Sequence, residues 1–285
     1  MLVRTISGLI MTAFGVFTLI IGGNFAGSVV GLISIFAYYE LCRACGVTAD
    51  NKKINALSLI GYISIILYYV NLMWGDSLLG EHLTGSNSYD YFSVGLIVTA
   101  TILGMLGVYV TAFPKFKAGQ IAAAMFGLLY APYMLSYLYM ILRDFEIGKY
   151  LVFLVFVPSS ISDACAYFVG VTLGKHKLAP KLSPKKSIEG SIGGIVGAAL
   201  VGAVYGLILA KNGIADDKVI WIFTLIGGFG SIIGQIGDLA ASAIKRDADI
   251  KDYSKLIPGH GGIMDRMDSI LVAAPIIYYF SKILF

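Results

Sequence analysis

"TISGLIMTAFGVFTLIIGGNFAGSVVGLISIFAYY", residues 5–39, contains no Asp, Glu, Lys or Arg. About 20 apolar residues span a bilayer as a helix, so this stretch is long enough to cross twice. The turn between the crossings falls at "GGNFAG", residues 22–27, where glycines permit a sharp reversal. The pattern recurs along the chain. Residues 54–75, 91–114, 118–142 and 190–210 are also uncharged runs. Of the 285 residues, 58% are hydrophobic and 13% charged. A soluble domain carries roughly 25% charged residues, so a soluble globular fold is excluded.

The expected fold is therefore all-α: a polytopic integral membrane protein with about nine transmembrane helices. Spans are expected near 5–22, 25–41, 54–73, 91–113, 118–141, 149–174, 190–210, 219–244 and 263–284. The first span reads as a true span rather than a cleavable signal. It is long, lacks an A-x-A-like site and leads straight into another apolar segment. With the N-terminus in the cytoplasm, the 21 Lys and Arg all fall on the inner side except Arg143, Lys149, Lys211, Lys218 and Lys282. The loop over 76–90 carries Asp76, Glu81 and Asp90 but no cation, as an outer loop should. This orientation suits a multi-pass protein of a cell's inner (plasma) membrane. Its net charge of +4 gathers on the cytoplasmic lip.

Composition divides the chain at about residue 148. Residues 1–148 are plain hydrophobic helices, a scaffold that could give lipid access or dimer contacts. Their one intramembrane acid is Glu40, expected to snorkel toward Arg43 or a cytoplasmic lysine. Cys42 and Cys45 form a C-x-x-C with no second pair, so no zinc site is indicated. Residues 149–285 hold the chemistry-bearing groups and two charged cytoplasmic loops, 175–189 and 245–266. Span seven is rich in glycine at Gly190, Gly193, Gly194, Gly197, Gly202 and Gly206, a pattern that lets helix backbones approach closely. Gly193 and Gly194 could instead expose backbone N–H groups to a phosphate.

In span eight, Gly230, Gly234, Asp238 and Ser242 step by four and share one helical row. Asp238 lies seven residues before Lys245, roughly 10 Å from the inner helix end. A carboxylate there needs protein, water or a cation to face. A salt bridge to a nearby base and a metal or proton site are both open. Asp265 and Asp268 are three apart, on one face of a helix start. Three acids this close would repel, and a divalent cation would relieve them. Hard oxygen ligands select Mg²⁺ over zinc. Ser183, Lys185, Lys186 and Ser187 in one loop, with Lys245, Arg246, Lys251, Lys255 and Arg266 in the other, suit a polyphosphate held beside a metal. In span six, Ser159, Asp163 and Tyr167 form a polar stripe that could line a water-filled cavity or hydrogen-bond across to Asp238. No Walker motif, GxGxxG or Ser-His-Asp order occurs, and nothing points to nucleic acid.

The stretch "SAIKRDADIKDYSKLIPGHGGIMDRMD", residues 242–268, resembles the motif of phosphatidate cytidylyltransferases, also called CDP-diacylglycerol synthases. The matching positions run from Ser242 through Lys245, Arg246, Lys251, Asp252, Ser254, His260, Gly261, Gly262, Asp265 and Arg266 to Asp268. The spacing before Pro258 is one residue looser, and no charged position departs. "SDACAYFVG" and "LSPKKSIEGSIGG" look like that family's upstream motifs. The resemblance implies a CTP-dependent nucleotidyltransferase of phospholipid biosynthesis: CTP plus phosphatidic acid gives CDP-diacylglycerol plus pyrophosphate. It implies Asp238 and Asp265 as ligands of Mg²⁺, with a second, monovalent cation such as K⁺ beside it and Asp268 in support. Lys186 and Arg266 join those acids as catalytic groups. Ser183, Lys185, Lys186, Ser187, Lys245, Arg246, His260 and Arg266 would bind phosphates of CTP or lipid, and Asp163 and Tyr167 would line the cavity. Membrane lipids surround such a protein, and a homodimer is implied by the resemblance alone. Two other readings stay open on the residues: an ion-coupled transporter using Asp163 and Asp238, and a related nucleotidyltransferase acting on another lipid phosphate.

Overall fold

The computed structural model describes residues 2–48, 54–78 and 89–285. Lys52, Lys53 and Glu81 of the expected loops lie outside the described residues. The helices are α1 (Leu2–Ile21), α2 (Gly23–Ala44), α3 (Ala56–Leu78), α4 (Tyr89–Thr111), α5 (Ala118–Leu128), α6 (Met134–Asp144), α7 (Gly148–Leu173), α8 (Ile188–Lys211), α9 (Lys218–Asp247) and α10 (Met264–Leu284). A short π-helical segment, Leu129–Tyr133, joins α5 to α6 around Pro132, whose missing N–H breaks the α-helical ladder. Among the described residues, eight helical stretches are long and apolar enough to cross a membrane, with Ala118–Asp144 counted as one, and Thr5–Ile21 is a shorter apolar helix. Each coincides with an expected span. Helices are what the apolar runs must form, because hydrocarbon offers backbone N–H and C=O groups no partner. Large apolar side chains point outward: Val110 is 72% exposed and Trp221 74%. A lipid-facing surface accounts for them.

The turn expected at residues 22–27 is confined to Gly22 and Gly23, and residues 24–27 are already helical. Gly22 and Gly23 take φ of 65° and 53°, a region open to glycine, and α2 starts at once. A feature that composition did not reveal is a small antiparallel hairpin, β1 (Lys177–Ala179) with β2 (Ser183–Ser187), in the loop before α8.

The chain forms two compact units, one of Met1–Ser136 with Asp252–Met264, the other of Tyr137–Lys251 with Asp265–Phe285. The core of the first unit is built on Tyr38, Leu41, Leu57 and Ile65, all buried. Tyr69 donates to the Pro132 carbonyl at 3.1 Å and pairs with Ser34 at 2.8 Å, tying α2 and α3 to the π segment. In the second unit α8 packs against both α7 and α9. Its glycines make that approach: a Cβ on Gly190 would sit 2.6 Å from the Ala166 carbonyl oxygen, and one on Gly194 2.8 Å from that of Ser162. Close packing is therefore the use of this glycine run.

Candidate active site

The second unit holds most of the charged groups of the sequence motifs, while Asp252, Lys255 and His260 belong to the first. The hairpin sets the lysines. Successive strand residues point to opposite faces, so Lys185 and Lys186 part. Lys185 stays exposed, while Lys186 turns inward and makes an ion pair with Asp238 of α9. Their side chains are 26% and 25% exposed, so the pair is half-buried. Register is held by Lys177 opposite Ser187 and Ala179 opposite Ser183. Glu189, in the first turn of α8, accepts from the Lys175 and His176 backbone N–H groups at 3.1 and 3.2 Å and pairs with the His176 ring at 2.7 Å. Ser187 is the N-cap of α8: its hydroxyl accepts the Gly190 N–H at 3.2 Å.

The Lys186–Asp238 pair borders a cavity of about 520 Å³, also lined by Asp163, Tyr167, Lys185 and Ser187. The structure thus brings together six of the residues singled out from sequence. Behind them lies a polar network. Gln235 donates to Ser162, Ser231 and the Ser191 carbonyl at 3.3, 3.2 and 3.2 Å, and accepts from the Ser191 hydroxyl. Ser162 and Ser231 are 2.7 Å apart. Four polar side chains from α7, α8 and α9 so satisfy one another where lipid could not. Sequence reasoning passed over this network. Ser231 and Gln235, four apart and just before Asp238, were the signal.

The acids of α10 complete the cluster. A Cβ on Gly237 would lie 2.6 Å from the Asp268 carbonyl oxygen, so α9 and α10 touch here through backbone. That approach brings Asp268 within electrostatic reach of Asp238. Asp268 also receives the Ser269 N–H at 2.7 Å. Asp265 is buried and takes the Lys245 ammonium at 2.8 Å. Asp163 lies within electrostatic reach of Lys186, Asp238 and Arg266. So Asp238 meets Asp268 and Lys186, while Asp265 meets Lys245.

Other expected phosphate binders have different surroundings. Ser183 opens β2 and does not line the cavity. Arg246 is exposed and donates to the Ile250 carbonyl at 3.3 Å, closing the end of α9. Arg266 is exposed in the first turn of α10. His260 belongs to the first unit, where its Nδ1 lies 2.8 Å from the Ser7 hydroxyl. Glu40 does not snorkel toward Arg43. It is buried in the first unit, because it accepts hydrogen bonds from Ser254, Ile263 and Met264.

The donor set is made of hard carboxylate oxygens. Among the described residues no three His, Cys, Asp or Glu side chains stand preassembled as a metal site. The nearness of two carboxylates, Asp238 and Asp268, is nonetheless the arrangement that a divalent, oxygen-seeking cation relieves.

Residues 2–284 match the cytidylyltransferase family. The chain belongs to that family. It is 31% identical over 278 residues to the phosphatidate cytidylyltransferase of Bacillus subtilis, covering 97% of this chain and 96% of the relative. It is 30% identical over 262 residues to that of Thermotoga maritima, covering 90% and 88%. A third match, 34% identical over 133 residues, is to the phosphatidate cytidylyltransferase of Haemophilus influenzae and covers 47% and 46%. The chain is a nucleotidyltransferase that uses CTP.

Proposed function

We propose that this member of the cytidylyltransferase family transfers the cytidylyl group of CTP to phosphatidic acid, giving CDP-diacylglycerol and pyrophosphate. A phosphate oxygen of the lipid forms a bond to the α-phosphorus of CTP. The bond from that phosphorus to the oxygen bridging to the β-phosphorus breaks, and its electron pair leaves with pyrophosphate. The lipid phosphate is already anionic, so no strong base is needed. The task is to bring two anions together and stabilise the leaving group. The observation that carries the reading is the cavity itself, which Lys177, Lys185 and Lys186 line together with Asp163 and Asp238.

Lys185 and Lys186 hold phosphate oxygens as cationic donors. Lys245, Arg246 and Arg266 add positive charge along the same lip. Mg²⁺ would be held by Asp238 and Asp265 with Asp268 in support, and when bound it supplies charge compensation to the triphosphate. A monovalent cation such as K⁺ would sit beside it. With those acids holding a metal, Lys186 and Lys245 would serve as cationic donors to phosphate oxygens. CTP is cytosolic and the lipid lies in the inner leaflet, so the reading places the N-terminus in the cytoplasm and the protein in the inner membrane. The homodimer implied by the resemblance belongs to the same proposal and enters none of these steps.

The test uses purified protein in detergent with CTP, phosphatidic acid and Mg²⁺. Asp238→Asn and Asp265→Asn should each lose at least about 100-fold in rate, the cost of removing a group that organises charge in the transition state. Undiminished product from either variant would remove that residue from the site.

A further inference from the structure

Glu40, in the last turns of α2, is 1% exposed, and no step of the proposed reaction uses it. Both of its oxygens accept hydrogen bonds. Oε1 accepts the Ser254 hydroxyl at 2.5 Å and the Ile263 N–H at 3.0 Å; Oε2 accepts the Met264 N–H at 2.8 Å. Gly262 is shaped to this carboxylate, since a Cβ there would lie 2.5 Å from both oxygens. The rest of the loop is pinned as well. Ser7 donates to the Pro258 carbonyl at 3.0 Å, and the Ile257 N–H donates to the Gly261 carbonyl at 2.9 Å.

The location of these bonds is what gives them consequence. α10 begins at Met264, so the Ile263 and Met264 N–H groups are orphan donors of its first turn. A helix usually meets such donors with a local Ser, Thr, Asp or Asn. Here the acceptor comes from α2, more than two hundred residues away in sequence. A carboxylate also suits the positive end of the helix dipole. Asp265 follows Met264 through one peptide bond, and Asp268 is one turn later.

We propose that Glu40 is a positioning residue: it fixes the first turn of α10 and thereby the placement of Asp265 and Asp268. The inference rests on the reading of those acids as active-site groups. Glu40 touches no substrate in this account. A remote helix cap supplied across the fold would instead make the geometry of the acids depend on one buried carboxylate.

The experiment is a double-mutant cycle in the full-length purified protein, with hydrogen exchange as a second readout. Glu40→Gln keeps one acceptor oxygen and loses the other. It should lower kcat about 10-fold and Glu40→Ala about 100-fold, with KM for CTP changed less than about threefold, because small displacements of reacting groups cost rate before binding. In the Glu40→Gln protein, amides 263 and 264 should exchange faster while those of α9 keep their protection. Glu40→Gln combined with Asp268→Asn should be no more than about threefold worse than Asp268→Asn alone, since the two act as one unit. Losses that multiply, or a Glu40→Gln protein with wild-type kcat and unchanged exchange at 263–264, would overturn the inference. If Asp268→Asn alone keeps full activity, the reading of that acid fails instead, and exchange at 263–264 still decides whether Glu40 caps α10. Should Glu40→Ala fail to fold, the Glu40→Gln cycle carries the same decision.

Discussion

Replacing Gly237 with Ala adds one methyl group where α9 meets α10. The new Cβ would lie 2.6 Å from the Asp268 carbonyl oxygen and 2.8 Å from a Val272 methyl. An ordinary contact starts at 3.4 Å, so the two backbones must part by most of an ångström. Val272 can rotate, but the carbonyl is backbone and cannot. Overpacking of this kind costs about 1–3 kcal/mol. On propensity alone the same change should stabilise, since Ala in a helix interior is worth about 1 kcal/mol over Gly. The sign of the effect therefore separates the two. Gly228, on the same helix, supplies the control: its Cβ would meet Ala199 at 3.6 Å, an ordinary contact. The displacement falls on the turn that brings Asp268 to Asp238. A shift near 1 Å at a catalytic group can cost about 100-fold in rate. Gly237→Ala should thus lower thermal stability in detergent and cut turnover by 10- to 100-fold on that scale, while Gly228→Ala should match or exceed wild type in both. A Gly237→Ala protein as stable and active as Gly228→Ala would refute the close approach of α10 to α9.

Three further outcomes follow from the site. Lys186→Ala should lower kcat/KM for CTP by about 10- to 100-fold, the worth of a charge-assisted bond to phosphate, and more than Lys185→Ala, whose side chain stays exposed; a Lys185→Ala variant that is the weaker of the two would reverse their roles. Ser187→Ala should cost about 1 kcal/mol of stability through the lost cap of α8, read as a lower unfolding temperature, with Ser187→Gly nearer wild type; a rate loss without a stability loss would return Ser187 to the substrate. Chelating divalent cations from the purified protein should abolish transfer and Mg²⁺ should restore it; activity that persists in chelator would remove the metal from the account.

Much of this was legible from residue types. Uncharged runs give the spans, because hydrocarbon tolerates little else. The glycine row of span seven gives close helix packing. Asp163 and Asp238 converge on the cavity because acids on apolar helices have few places to go, and Lys185 and Lys186 of β2 meet them there. What remained hidden depends on contacts distant in sequence. Nothing near Glu40 tells that its partners lie at 254, 263 and 264, and Arg43, its neighbour in sequence, misdirects the reading. Asp238 and Asp268 meet through the closeness of two backbones at Gly237, which spacing within one helix cannot express. The hairpin over 177–187 was masked by its lysines, since alternation over so few residues is a weak strand signal.

The fate of the two ends of CTP tests the central claim most directly. CTP labelled at the α-phosphorus or at the γ-phosphorus is incubated with phosphatidic acid, Mg²⁺ and the purified protein, and lipid is separated from the aqueous products. The α label should appear in a lipid that comigrates with CDP-diacylglycerol, and the γ label in pyrophosphate. A γ label in the lipid, or no label there from either substrate, would contradict it.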